Sequence, residues 1–189
     1  MLIPTKYEYV RPLLKTGDLV AFCGKGWLSR AIMWFAGEPS HIEVIARVEG
    51  RVQLIGSTSM RISDKRILGV QRTYLSDRID NYTGRIYVLP LATPLELDED
   101  KFNASLVRYE QKKYDFWQAS RQLIPFFPIK ESSKRMFCSE LGSFIYQELR
   151  IIPSSENASR TTPRKLCQYP IYTPDYYQIK GYSQELEII

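Results

Sequence analysis

The sequence predicts an α+β fold, and three observations predict it. A short apolar strand pattern comes early and is followed by one helical pattern. Several strand-type segments then succeed one another without intervening helices. Late in the chain a further helical pattern opens on a cysteine. Strands that follow one another pair antiparallel, whereas a parallel sheet needs strand and helix to alternate. The 189 residues suffice for one domain, 1–189, around a real apolar core.

The elements follow in order. Lys15-Thr-Gly-Asp18 is a turn signal, and Leu19–Phe22 reads as a short buried strand. Gly24 and Gly26 break it. Trp27–Phe35 then has helical spacing, with Trp27, Ala31 and Trp34 recurring on one side. Core packing is expected for at least two of Trp27, Trp34 and Trp117, the alternative being the wall of a substrate groove. His41–Val48 and Arg51–Ile55 form a hairpin through a Glu49-Gly50 turn. Gly69–Tyr74 and Arg85–Leu89 add two strands. Leu97–Tyr114 is an amphipathic helix with Phe102, Leu106 and Tyr109 on one face. Leu123–Pro128 is an apolar loop broken by two prolines. Cys138–Leu149 is a helix whose apolar face carries Leu141, Phe144, Ile145 and Leu149. Beyond Pro153 the sequence turns polar and proline-rich, with one short helix near Pro163.

Composition narrows the function classes. No stretch approaches the roughly 20 apolar residues a membrane span needs. The first ten residues lack the charged front and apolar run of a secretory signal, so a cytoplasmic setting is expected. Cys23, Cys138 and Cys167 are odd in number and far apart, which suits a reducing compartment with a free thiol. A net charge of +5 permits attraction to an anionic surface without requiring nucleic acid, and no basic–aromatic nucleic-acid motif is present.

The chain has one histidine, so an imidazole base is His41 or none. It opens a strand, where a rigid backbone can aim a side chain into a cleft. Cys138 stands at a helix N-terminus, whose partial positive charge favours a thiolate. Its free N–H groups also suit an oxyanion. Taken singly, a lone histidine is more often a satisfied residue, and a cysteine on an apolar helix is more often a small core residue.

The wording around each residue shifts that balance. Gly17-Asp-Leu-Val-Ala-Phe22 with Gly26-Trp-Leu-Ser-Arg30, Ser40-His41, Ser57-Thr58 with Gly69-Val70, and Tyr114-Asp-Phe116 leading to Phe137-Cys-Ser-Glu140 occur in that order. Together with Pro163-Arg-Lys-Leu166 they span roughly residues 16 to 167. In order and spacing this set resembles the permuted papain-like amidases, the YiiX-like branch of the NlpC-type superfamily. In that branch the histidine strand precedes the cysteine helix. The resemblance implies a papain-like, circularly permuted central antiparallel sheet packed against the Cys138 helix. It implies thiol hydrolysis of an amide bond with Cys138 as nucleophile and His41 as base. The related lecithin:retinol acyltransferase group adds acyl transfer or thioester chemistry as a variant.

In the permuted amidases a Glu on the strand after the histidine strand commonly orients the imidazole, and here Gly56 stands at that position. A hairpin turn at Glu49-Gly50 sets positions summing to 99 opposite each other, which puts Glu43 across from Gly56. Glu43 also shares a face with His41, two residues away. The carboxylate has then moved to the neighbouring strand, with Gly56 leaving it room. The alternative is a solvated Glu43, with Thr58 or a backbone carbonyl orienting the ring.

Other residues have plainer expected roles. Cys23 sits at a strand end and Cys167 in a tail, neither at a helix start. Three Cys and one His without a close Cys pair make zinc an unpromising fit. Gly24-Lys-Gly26 lacks the full phosphate-loop pattern, although Lys25 could meet an anionic group near the cleft. Glu140 lies about 200° round the helix from Cys138 and is expected to cap or pack. Tyr114 and Asp115 are expected to position the segment leading to the cysteine. Arg121, Lys134 and Arg135 make the approach to Cys138 basic. The expected reaction needs no metal or organic cofactor, and its substrate is a peptide, a cell-wall peptide, an acyl-amino acid or an acyl lipid. The competing expectation is a degenerate relative that binds such a ligand without turnover.

Overall fold

The computed structural model describes residues 1–58, 61–62, 65–66, 69–92 and 138–188. The helix expected at 97–114, the apolar loop at 123–128, and Tyr114, Asp115, Trp117, Arg121, Lys134 and Arg135 lie outside them. The elements are β1 (Leu2–Pro4), α1 (Tyr7–Val10), β2 (Leu19–Gly24), α2 (Trp27–Ala36), β3 (His41–Val48) and β4 (Arg51–Thr58). There follow the two-residue pair β5 (Arg61–Ile62) and β6 (Lys65–Arg66), β7 (Gly69–Tyr74), α3 (Leu75–Asn81) and β8 (Gly84–Leu89). After the undescribed stretch come α4 (Cys138–Glu148), a 3-10 turn (Ala158–Arg160), α5 (Pro163–Cys167) and β9 (Tyr176–Lys180).

The result is α+β, built on a seven-stranded sheet of order β1-β9-β8-β2-β3-β4-β7. Neighbours are antiparallel except β1 and β9, which run parallel. The β3–β4 hairpin has the register expected from its turn, Val48 opposite Arg51 and Val44 opposite Ile55. Glu49 and Gly50 both take positive φ, the conformation a tight hairpin turn demands.

The central strands β2 and β8 are buried at every position. That happens because both faces of the sheet are covered. On one face Leu19, Ala21, Ile42, Val44 and Tyr87 pack against Leu141, Ile145 and Tyr146 of α4 and Leu166 of α5. On the other, Val20, Phe22, Ile45, Leu54 and Ile86 pack with Val10, Leu14 and Leu75. Strands alternate their side chains between the two cores, which is why β2 reads as a continuous apolar run.

Two expectations are corrected. The segment after Pro153 contributes more than one short helix: β9 enters the sheet between β1 and β8. Its Tyr-Tyr-Gln-Ile-Lys sequence hides a buried polar residue, Gln178, whose amide donates to the carbonyls of Lys180 and Tyr182 and accepts from the Gln184 N–H. Trp27 and Trp34 are not core residues: they are 74% and 80% exposed.

Candidate active site

The site forms where α4 meets the opening end of β3. Helix α4 is seated closely on the sheet because residue 142 is glycine. A Cβ there would stand 2.8 Å from Ile42 Cδ1 and 2.8 Å from Leu166 Cδ2. Tyr146 fixes the helix further along, its hydroxyl donating to the Gly17 carbonyl at 2.8 Å. These contacts hold Cys138, the first residue of α4, beside the first residues of β3. Ser40 steadies the lead-in, its hydroxyl donating to the Phe22 carbonyl at 3.0 Å.

Cys138 and His41, 97 positions apart, are hydrogen-bonded to each other through sulfur and imidazole. The Ile42 and Ser139 N–H groups also donate to the sulfur. The β3–β4 pairing stops at Val44 opposite Ile55, and beyond it the Ile42 N–H serves the thiol. His41 Nε2 donates to Glu43 Oε1 at 2.9 Å, which leaves Nδ1 for the sulfur. A carboxylate can only accept, so Glu43 fixes the protonated nitrogen.

Glu43 lies over Gly56. A Cβ at position 56 would be 2.4 Å from Glu43 Cγ and 2.7 Å from its Oε1, so only glycine leaves the carboxylate its place. The side chain of Thr58, the alternative orienting group, lies outside the described residues.

Sequence reasoning missed Arg78. It projects from α3 and donates from Nη2 to Glu43 Oε1 at 2.8 Å, while its guanidinium covers the Phe22 ring at 5.1 Å. The same Phe22 ring flanks His41, with centroids 5.5 Å apart, and meets Tyr82 edge-on at 5.1 Å. The signal was present: Leu75, Arg78, Ile79 and Tyr82 share one side of a helical turn pattern, and an arginine on an apolar side calls for a buried anion.

The charges support one another. Burial alone would push the Cys138 thiol up, but the His41 imidazolium and the two N–H donors hold it below the ordinary thiol range. Burial alone would pull His41 down, but the Cys138 thiolate and the Glu43 carboxylate lift it to about 9. Glu43 is opposed by its own burial and still sits below the usual carboxylate range, because His41 and Arg78 both stabilise its charge. Both shifts run in the direction that favours a thiolate–imidazolium pair.

The other sequence candidates fall outside this cluster. Burial and the Glu38 carboxylate push the Cys23 thiol up to about 12. Burial likewise pushes Cys167 up, with Cys23 and Cys138 adding to it. Lys25 lies over the Tyr182 ring at 5.8 Å. Glu140 is half-buried in the first turn of α4.

No family model and no curated relative matches the chain. Among solved structures it is similar to the metalloprotein yiiX from Escherichia coli, with a TM-score of 0.52 and 20% identity over 73% of this chain and 67% of that one. The likeness is one of fold. The metal belongs to that neighbour. Among the described residues here, no three His, Cys, Asp or Glu side chains gather as ligands. Glu43 Oε1 already serves two cationic groups, and the Arg78 guanidinium opposes a third. The described residues do not fit a resident metal at this site.

Proposed function

We propose that this chain is a thiol hydrolase of the permuted papain-like kind, opening an amide or related acyl bond through an acyl-enzyme on Cys138. One observation carries the proposal. A sulfur at a helix start is hydrogen-bonded to the chain's single imidazole, and that imidazole's other nitrogen is held by a buried carboxylate. This is the arrangement that activates a cysteine nucleophile. The YiiX-like fold supports the family resemblance at the level of architecture.

The proposed steps use these groups in turn. The Cys138 thiolate attacks the acyl carbon, and N–H groups in the first turn of α4 receive the oxyanion. His41, as imidazolium, protonates the leaving amine through Nδ1. Neutral His41 then takes a proton from water, whose oxygen attacks the thioester and frees the acid. Glu43 keeps Nε2 protonated throughout, and Arg78 keeps Glu43 ionised. The chain is exposed in turn to activated esters, N-acyl amino acids, cell-wall peptides and acyl lipids, then measured intact by mass spectrometry. A transient acyl mass on Cys138, absent in Cys138→Ala, is the expected result. Ligand binding with neither adduct nor product from any of the four classes would replace hydrolysis with the ligand-binding reading.

A further inference from the structure

Helix α2 is built inside out. At about 100° per residue, Trp27, Leu28, Ala31 and Trp34 fall within one side of the helix. A surface helix ordinarily turns such a side toward the core. Here that side faces outward, with Trp27 74%, Leu28 48% and Trp34 80% exposed, while Met33 opposite packs on the core. None of the ten residues is buried. Arg30 is exposed beside the tryptophans and Lys25 just before them, and Trp27–Ala36 contains no acidic residue.

We propose that the outward side of α2 docks on an anionic lipid surface, the helix lying in the plane of the headgroups. Indole rings favour the boundary between headgroup and acyl chain, and basic residues at the rim meet the phosphates. Ten residues make a helix about 15 Å long, too short to cross a bilayer and suited to lying in its surface. The net charge of +5 attracts the whole chain to an anionic membrane. A second copy fits less well, since its identical side would bring the same basic rim against this one. Only Gly37–Ser40 separates α2 from His41 along the chain. The docking itself is independent of the hydrolysis proposed above.

The test uses the whole chain with vesicles of phosphatidylcholine, alone or mixed with phosphatidylglycerol. Co-sedimentation and a blue shift of tryptophan emission are expected with the mixed vesicles, weakening as salt is raised. Trp27→Ser combined with Trp34→Ser should fold, because both side chains are exposed, and should reduce partitioning about tenfold or more. Cys138→Ala should bind like the parent, which separates docking from catalysis. Absence of binding to the mixed vesicles, or equal binding by the double variant, would overturn the proposal. So would lipid-free self-association abolished by the double substitution, which would assign the surface to a second copy.

Discussion

Cys138 and Cys167 are both buried thiols facing the same core, yet their acidities are displaced in opposite directions. Burial acts on both alike. The difference lies in what surrounds each sulfur. Cys138 opens a helix of eleven residues and receives two N–H groups and an imidazolium. Cys167 closes a helix of five residues, and among the described residues the groups that shift it are the Cys23 and Cys138 thiols, whose ionisation makes a further thiolate harder to form. The pair teaches that a buried thiol's acidity follows its partners and not its exposure.

That contrast can be broken at its supports. The largest effect is expected at Gly56. In Gly56→Ala the new Cβ displaces the Glu43 carboxylate and the imidazole loses its orientation. Turnover of a responsive substrate should fall roughly a hundredfold or more, with Cys167 as inert as before. Equal turnover would mean that the His41–Glu43 bond does not matter to the chemistry.

Next is the cation behind the carboxylate. Arg78→Met leaves the buried Glu43 with His41 as its remaining cationic partner, and the loss should approach the cost of breaking a buried ion pair, about 3–5 kcal/mol. Glu43 is held below its ordinary value of 4.5. Its contribution to stability is therefore present above that value and is lost as pH falls through the lowered one. The deficit measured by denaturant unfolding should be largest at neutral pH and shrink in acid, where the carboxyl protonates.

A smaller shift sharpens the comparison further. With one histidine in the chain, the His41 ring resonance can be followed directly by NMR. Glu43→Gln removes a negative charge that favours imidazolium, so the titration should move down from about 9 by about one unit or more. An unmoved titration with unchanged turnover would remove Glu43 from the mechanism.

Much of this site was legible in the sequence. The hairpin turn fixed the register of β3 and β4, so Glu43 could be set over Gly56 from counting alone. The single histidine and the cysteine opening a helical pattern are local facts that survive folding. What escaped is long-range or inverted. Arg78 lies in a short connector, and its partner sits 35 positions away. β9 carries a polar residue at a buried position, where hydrogen bonds to its own turn replace apolar contact. In α2 the periodicity was right and the face was wrong. Spacing locates an apolar stripe but does not say whether core or some other apolar surface receives it.

The contrast between thiols is tested most directly by alkylating the native chain with iodoacetamide across a pH series and reading each cysteine separately by mass spectrometry. Cys138 should be modified rapidly at neutral pH, well below the ordinary thiol value of 9, while Cys23 and Cys167 remain unmodified. A Cys138 rate that climbs only near pH 9, or that never exceeds those of the other two, would contradict the thiolate–imidazolium pair.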